Sequence, residues 1–185
     1  MNLESILSDH RNEIIAECTH AIRKKCGQKY SQRSVKELTG TTSEITDANF
    51  AALLHNDFSK IDDFIKKITE LRVRHDFALS EVLQAFELQR TSLFRLFGEY
   101  LVGRDLITAV SKLNECLSYT MARFTDYYQE LHQKKMREYT ETLEQEVSKR
   151  TEELSASEAK YRMLIEEIKD GYFVKRNGRI IFVNS

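Results

Sequence analysis

Over most of the chain, apolar residues return every three or four positions, the spacing that gathers them on one face of an α-helix. The first such run, residues 3–26, carries Leu3, Leu7, Ile14, Cys18 and Ala21, with Ile6, Ile15 and Ile22 beside them. It predicts one helix, followed by Gly27 where a helix-ending glycine belongs. His10 falls on the same stripe. The segment from Gln28 to Thr46 is polar and includes Gly40-Thr41-Thr42-Ser43, which predicts a short helix and a loop. Ser59-Lys60-Ile61-Asp62 then resembles a helix N-terminal cap, with Asp in place of the usual Glu or Gln. The stripe Ile61, Phe64, Ile65, Ile68 and Leu71 supports an amphipathic helix. Another helix is predicted from near Ser80, with Val82, Leu83, Phe86, Leu93, Phe94, Phe97, Tyr100 and Leu101 inward and Gly103 as its stop. Arg90 lies on that apolar face and must find a partner or snorkel outward.

Asp105 can cap the next helix, and no breaker follows before Gly171. Roughly 65 residues at about 1.5 Å each amount to a rod of about 95 Å. Its first part carries Leu106, Val110, Leu113, Leu117, Phe124, Tyr128 and Leu131, enough to complete a globular core. Beyond Leu131 the apolar pattern thins and changes phase. A heptad then holds over residues 133–168. Gln133, Thr140, Val147, Leu154, Tyr161 and Ile168 occupy position a, and Met136, Leu143, Arg150, Ser157 and Leu164 occupy position d. So narrow a seam suits a parallel two-stranded coiled coil. Its defects are Arg150 and Ser157 in the seam, and Glu153 facing Glu158 across a parallel pair. The alternative is a single solvated helix. The dimer seam expected from this pattern is Met136, Leu143, Val147, Arg150, Leu154, Ser157, Tyr161, Leu164 and Ile168.

The last residues change character. Tyr172-Phe173-Val174-Lys175 and Arg179-Ile180-Ile181-Phe182-Val183 flank Arg176-Asn177-Gly178, and Asn-Gly between two such runs is a strong hairpin signal. A lone hairpin is marginal in water, so the chain reads as cut from something longer. The fold class expected is all-α: a helical-bundle or globin-like domain over residues 1–131, a coiled-coil helix over 132–168, and an incomplete hairpin-bearing domain over 169–185.

Composition narrows the possibilities. Hydrophobic residues make up 41% and charged residues 31%, which excludes a disordered chain. A formal net charge of −1 gives no electrostatic case for nucleic acid or an anionic membrane. The run Arg23-Lys24-Lys25 reads as compensation of a helix C-terminus. No apolar stretch nears the roughly 18 residues of a membrane span, and the N-terminus lacks the regions of a signal peptide, so a cytoplasmic location is expected. Proline is absent, which permits long uninterrupted helices. Cys18, Cys26 and Cys116 lack metal-ligand spacing and read as reduced thiols.

Catalytic chemistry has little support. None of His10, His20, His55, His75 and His132 stands in a phosphoacceptor pattern, and no glycine-rich phosphate loop is present. Glu152-Glu153 and Glu166-Glu167 read as solvated faces of a charged helix. No enzyme activity and no cofactor are expected. His10 and His75 are the candidates for a haem ligand, and a satisfied or capping histidine is the favoured reading of both.

Two resemblances extend this reading. Residues 147–185, with RTEEL, SEAKYRMLIE, DG and NGRIIFVN, resemble the entry to a PAS domain behind a signalling helix. Residues 71–97, LRVRHDFALSEVLQAFELQRTSLFRLF, resemble the N-terminal domain of the RsbT co-antagonist (stressosome) family, through Leu79-Ser80 and Arg90. Asp76 stands where that family often has glycine, and the first helix has no Trp. The resemblance implies a globin-like bundle without haem, homodimeric, feeding a signal from an unknown ligand or protein partner to a C-terminal output module. A PAS-containing sensor histidine kinase is the protein it implies; the alternatives are an assembly scaffold and a haem or small-molecule sensor.

Overall fold

The structure, a computed structural model, describes residues 2–167 and 173–183. The chain is mostly helical and ends in a two-stranded hairpin. Contacts divide it into two compact units, residues 1–133 and residues 134–185.

The single helix expected over residues 3–26 is two: α1 (Leu3–Asp9) and α2 (Arg11–Lys25), broken at His10. Ile6 and Ile15 are both buried, yet nine residues at about 100° each set them on opposite faces of one straight helix. The break lets both face the core. The Asn2 side chain caps α1 by accepting from the Ser5 N–H at 2.8 Å. After α2, Gly27 is required by its backbone, with φ +93°; a Cβ there would also meet the mobile end of the Glu81 side chain, Oε1 at 2.9 Å.

The loop expected before Thr46 is helix instead. After the short α3 (Gln28–Ser31), α4 spans Val35–His55, capped by the Ser34 hydroxyl, which accepts from the Glu37 N–H at 3.1 Å. Thr42, Thr46 and Asn49 lie in the core with Leu38 and Ile45. Thr46 Oγ1 donates to the Thr42 carbonyl one turn back at 2.7 Å, which lets a hydroxyl sit on a buried face. A polar-looking run therefore hides an inward stripe. Gly40 is exposed within α4 and costs it about 1 kcal/mol relative to alanine.

α5 covers Ser59–Arg74. The N-cap position is Phe58, without a side-chain cap, and Asp57 just before it accepts from both N–H and Oγ of Ser59, the serine expected to supply the cap. The expected stripe is buried, but Leu71 is only half-buried and Arg72 replaces it inside. α6 covers Leu79–Tyr100 and buries Val82, Phe86, Gln89, Leu93 and Phe97. Phe94 and Tyr100, expected inside, are exposed: Phe94 is turned about 100° from Leu93, and Tyr100 keeps the inward phase but is the last residue of α6, where its ring meets His10. Arg90 pairs with Glu87 and reaches Asn114 Oδ1 at 3.5 Å. Gly103 does not stop α6; with φ +59° it opens α7 (Gly103–Glu166), and Asp105 lies in the first turn.

Helix α2 packs on α4 and α6, and α4 packs on α5. Leu53, Ile61, Leu93 and Phe97 sit at the centre of one continuous core. From α7, Leu113, Cys116 and Phe124 enter it, with Phe124 edge-on to Phe86 at 5.4 Å; Leu106, Val110, Leu117 and Tyr128 pack at its margin. In the second unit, β1 (Phe173–Arg176) pairs antiparallel with β2 (Arg179–Val183). Asn177 and Gly178 both have positive φ, as the Asn-Gly turn requires. No helix among the described residues is long and apolar enough to cross a membrane.

The burial pattern separates two phenylalanines only three residues apart. Phe97→Ala should destabilise the chain by about 3–5 kcal/mol in urea denaturation, and Phe94→Ala by under about 1 kcal/mol. Equal losses would contradict the inward face assigned to α6.

Candidate functional site

The first unit encloses a charge. Arg72 projects from α5 into the core and is 1% exposed. Its Nη1 donates to Glu37 Oε1 at 3.1 Å, and Arg33 Nη1 approaches the other Glu37 oxygen at 3.5 Å. One carboxylate from α4 thus answers two guanidinium groups. The Arg72 guanidinium also lies 5.0 Å from the Tyr30 ring centre and 4.7 Å from that of Phe77, and those two rings meet edge-on at 4.9 Å. Phe77 is held in turn: its N–H donates to the Arg72 carbonyl at 3.0 Å, and its own carbonyl accepts from the Tyr128 hydroxyl at 2.8 Å. Among the described residues, Arg72 Nε is buried with no hydrogen-bond partner.

Beside Arg72 lies a small cavity of about 30 Å³ between α2, α3, α4, α5 and α6. Ile22, Leu38, Phe64, Ile68, Val82 and Phe86 give it apolar walls. Tyr30, Thr42, Gln89 and Arg72 give it polar ones. Gln89 Nε2 donates to Thr46 Oγ1 at 3.1 Å, which fixes the amide. Burial pushes the Tyr30 phenol up from 10.0 to about 12, against the opposing charge of Arg72, so the hydroxyl keeps its proton at neutral pH. Burial likewise raises the Cys26 thiol to about 11, with Glu81 adding to it, and the Cys116 thiol to about 12. All three cysteines are buried and form no disulfide, and Cys116 Sγ donates to Asn49 Oδ1 at 3.5 Å, the environment of inert structural thiols.

The expected seam lies on the second half of α7. Met136, Leu143, Val147, Leu154, Tyr161 and Leu164 are all between 41% and 64% exposed. Arg150 bonds Glu146 one turn back at 2.5 Å, and Ser157 is half-buried. Ile168, and Asp170 and Gly171 before the hairpin, lie outside the described residues. In the first unit, Phe94, Gly98, Leu106, Ile107 and Val110 line an apolar surface groove between α6 and α7. Followed at helical spacing, the α7 side of this groove continues through Ser111, Asn114, Ser118, Thr125 and Gln129 without a charged residue.

The histidines lie away from the cavity. His10, at the α1–α2 break, bonds Glu13 at 3.0 Å and rests on the Tyr100 ring; His20, His55, His75 and His132 are exposed. Among the described residues no group of three or more His, Cys, Asp or Glu side chains is gathered to hold a metal ion. Compared with known proteins, the chain matches no family model, no curated protein and no solved structure.

Sequence reasoning missed Arg72, Glu37, Tyr30 and Phe77. The signal was present for Arg72, because Ile61, Ile65, Ile68 and Arg72 follow helical spacing into the core.

Two outcomes follow from this chemistry. Glu37→Gln leaves Arg72 without its carboxylate and should cost about 2–3 kcal/mol, whereas Glu44→Gln, at the exposed Lys67 pair, should cost under about 1 kcal/mol in the same urea titration. The thiols set a pH dependence. Their folded values lie above the ordinary 9.0, so their contribution is complete below pH 9 and is lost as pH rises through about 11 to 12. Stability measured across that window should fall, and Cys116→Ala should flatten the fall; an unchanged slope would contradict the assignment.

Proposed function

We propose that the chain is a non-catalytic sensory and dimerisation module of a signalling protein. In this reading the first unit is a globin-like bundle that receives a signal, and α7 pairs with a second copy in parallel along the heptad seam. The hairpin begins a PAS domain, and a histidine kinase is the output. The observation that carries the reading is the row of half-exposed apolar residues from Met136 to Leu164, which leaves apolar surface in water unless another helix covers it.

Two features support a second copy as the occupant. The seam is self-complementary in a parallel pair, because a and d positions meet their own equivalents. The α6–α7 groove, with Ile107 71% exposed, adds apolar surface that a second copy can cover, flanked at Asn114 by the Arg90–Glu87 pair. Arg150 and Ser157 weaken the seam at its middle. That favours two packings close in energy, the condition for a switch rather than a fixed strut.

A disulfide cross-link tests the arrangement. Leu154→Cys, at position a, should form an interchain disulfide under mild oxidation, while Glu152→Cys, on the outer face, should not. Equal cross-linking at both positions, or none at either, would sink the parallel pair. Arg150→Leu with Ser157→Leu should tighten the dimer and lock the output in one state; an unaltered signal response would argue against transmission through the seam.

A further inference from the structure

We propose that the cavity beside Arg72 binds a short monocarboxylate the size of acetate, its oxygens on the Arg72 guanidinium and its carbon end against Ile68, Val82 and Phe86. This gives the sensory reading a ligand, and it rests on that reading only for what binding does next.

Charge, open donors, shape and size each point to that class. Arg72 is 1% exposed, and its Nη1 is taken by Glu37 while its Nε–H has no partner among the described residues. A buried guanidinium edge matches a carboxylate's two oxygens in a fork that a single point charge does not reproduce. Glu37 is shared between Arg33 and Arg72, so these three groups carry one positive charge in excess. An anion arriving at Arg72 therefore neutralises rather than crowds. Tyr30 keeps its proton, and its hydroxyl, within hydrogen-bonding reach of Arg72, stands on the same wall.

Size and polarity narrow the ligand further. A cavity of about 30 Å³ on this measure holds about two waters, so it admits a few heavy atoms and not a ring or a long chain. Most of its wall is apolar, a surface that suits a methyl group and leaves a fully hydrated inorganic anion short of partners. A carboxylate with a single carbon behind it meets both ends.

The test uses the full chain. Thermal melts are recorded in sodium acetate, in sodium chloride at equal ionic strength, and in acetamide and hexanoate. Acetate should raise the melting temperature to a saturating limit, while chloride, acetamide and hexanoate should not. Acetate titrated by carbon-13 NMR should bind wild-type chain at least about tenfold more tightly than Ala85→Leu, which fills the cavity and leaves Arg72 in place. Arg72→Lys, which keeps the charge and loses the fork, should weaken binding comparably. Equal effects of acetate and chloride, or undiminished binding in Ala85→Leu, would overturn the site. The same ligand added to the Leu154→Cys cross-linking reaction separates the two ideas. Binding with no change in cross-linking rate would count against signalling through α7 and leave the site standing; absence of binding would remove the site and leave the dimer untouched.

Discussion

The Arg72 guanidinium, packed against the rings of Tyr30 and Phe77 with Glu37 on its Nη1, joins side chains from four stretches of the chain. Tyr30 comes from α3, Glu37 from α4, Arg72 from α5, and Phe77 from the turn into α6. Through its carbonyl, Phe77 also takes the Tyr128 hydroxyl of α7. A charge so deep in a protein is destabilising unless each of these partners is in place, so the cluster ties the spacing of the helices to its own geometry. That dependence makes the neighbouring cavity a sensitive place. A small change in how Arg72 is solvated acts at once on α3, α4, α5 and the α6 approach.

α7 does two different jobs with one kind of backbone. Over Ala109–Phe124 it turns Ala109, Leu113, Cys116, Thr120 and Phe124 inward, and the surrounding helices cover them. Beyond Gln133 the same periodicity persists with fewer apolar residues and many charges. Pairs such as Lys149–Glu153 and Arg150–Glu146 are exposed and stabilise the helix by only a few tenths of a kcal/mol each. A helix of that composition gains most of its stability from a partner, which is the physical basis for reading its seam as an interface.

Much of this was legible in the residues, and the failures share a cause. Long apolar stripes located α5, α6 and α7, and Asn177-Gly178 located the hairpin turn, because periodicity and turn chemistry are local properties. The start of α4 was hidden because Thr42, Thr46 and Asn49 count as polar, although threonine hydroxyls answer backbone carbonyls one turn away and can be buried. The break at His10 was hidden because it exists to satisfy Ile6 and Ile15 together, a tertiary demand. Arg72 was passed over for Leu71 by the same logic: its burial depends on Glu37, thirty-five residues earlier in the chain. A cavity has no local signature at all, since it is bounded by side chains from five helices.

Sedimentation equilibrium of the chain over a range of concentrations tests the central claim, self-association through the exposed seam. The account predicts a mass of twice 21.7 kDa at high concentration, relaxing toward the single-chain value on dilution. A mass that stays at 21.7 kDa at every concentration would contradict it.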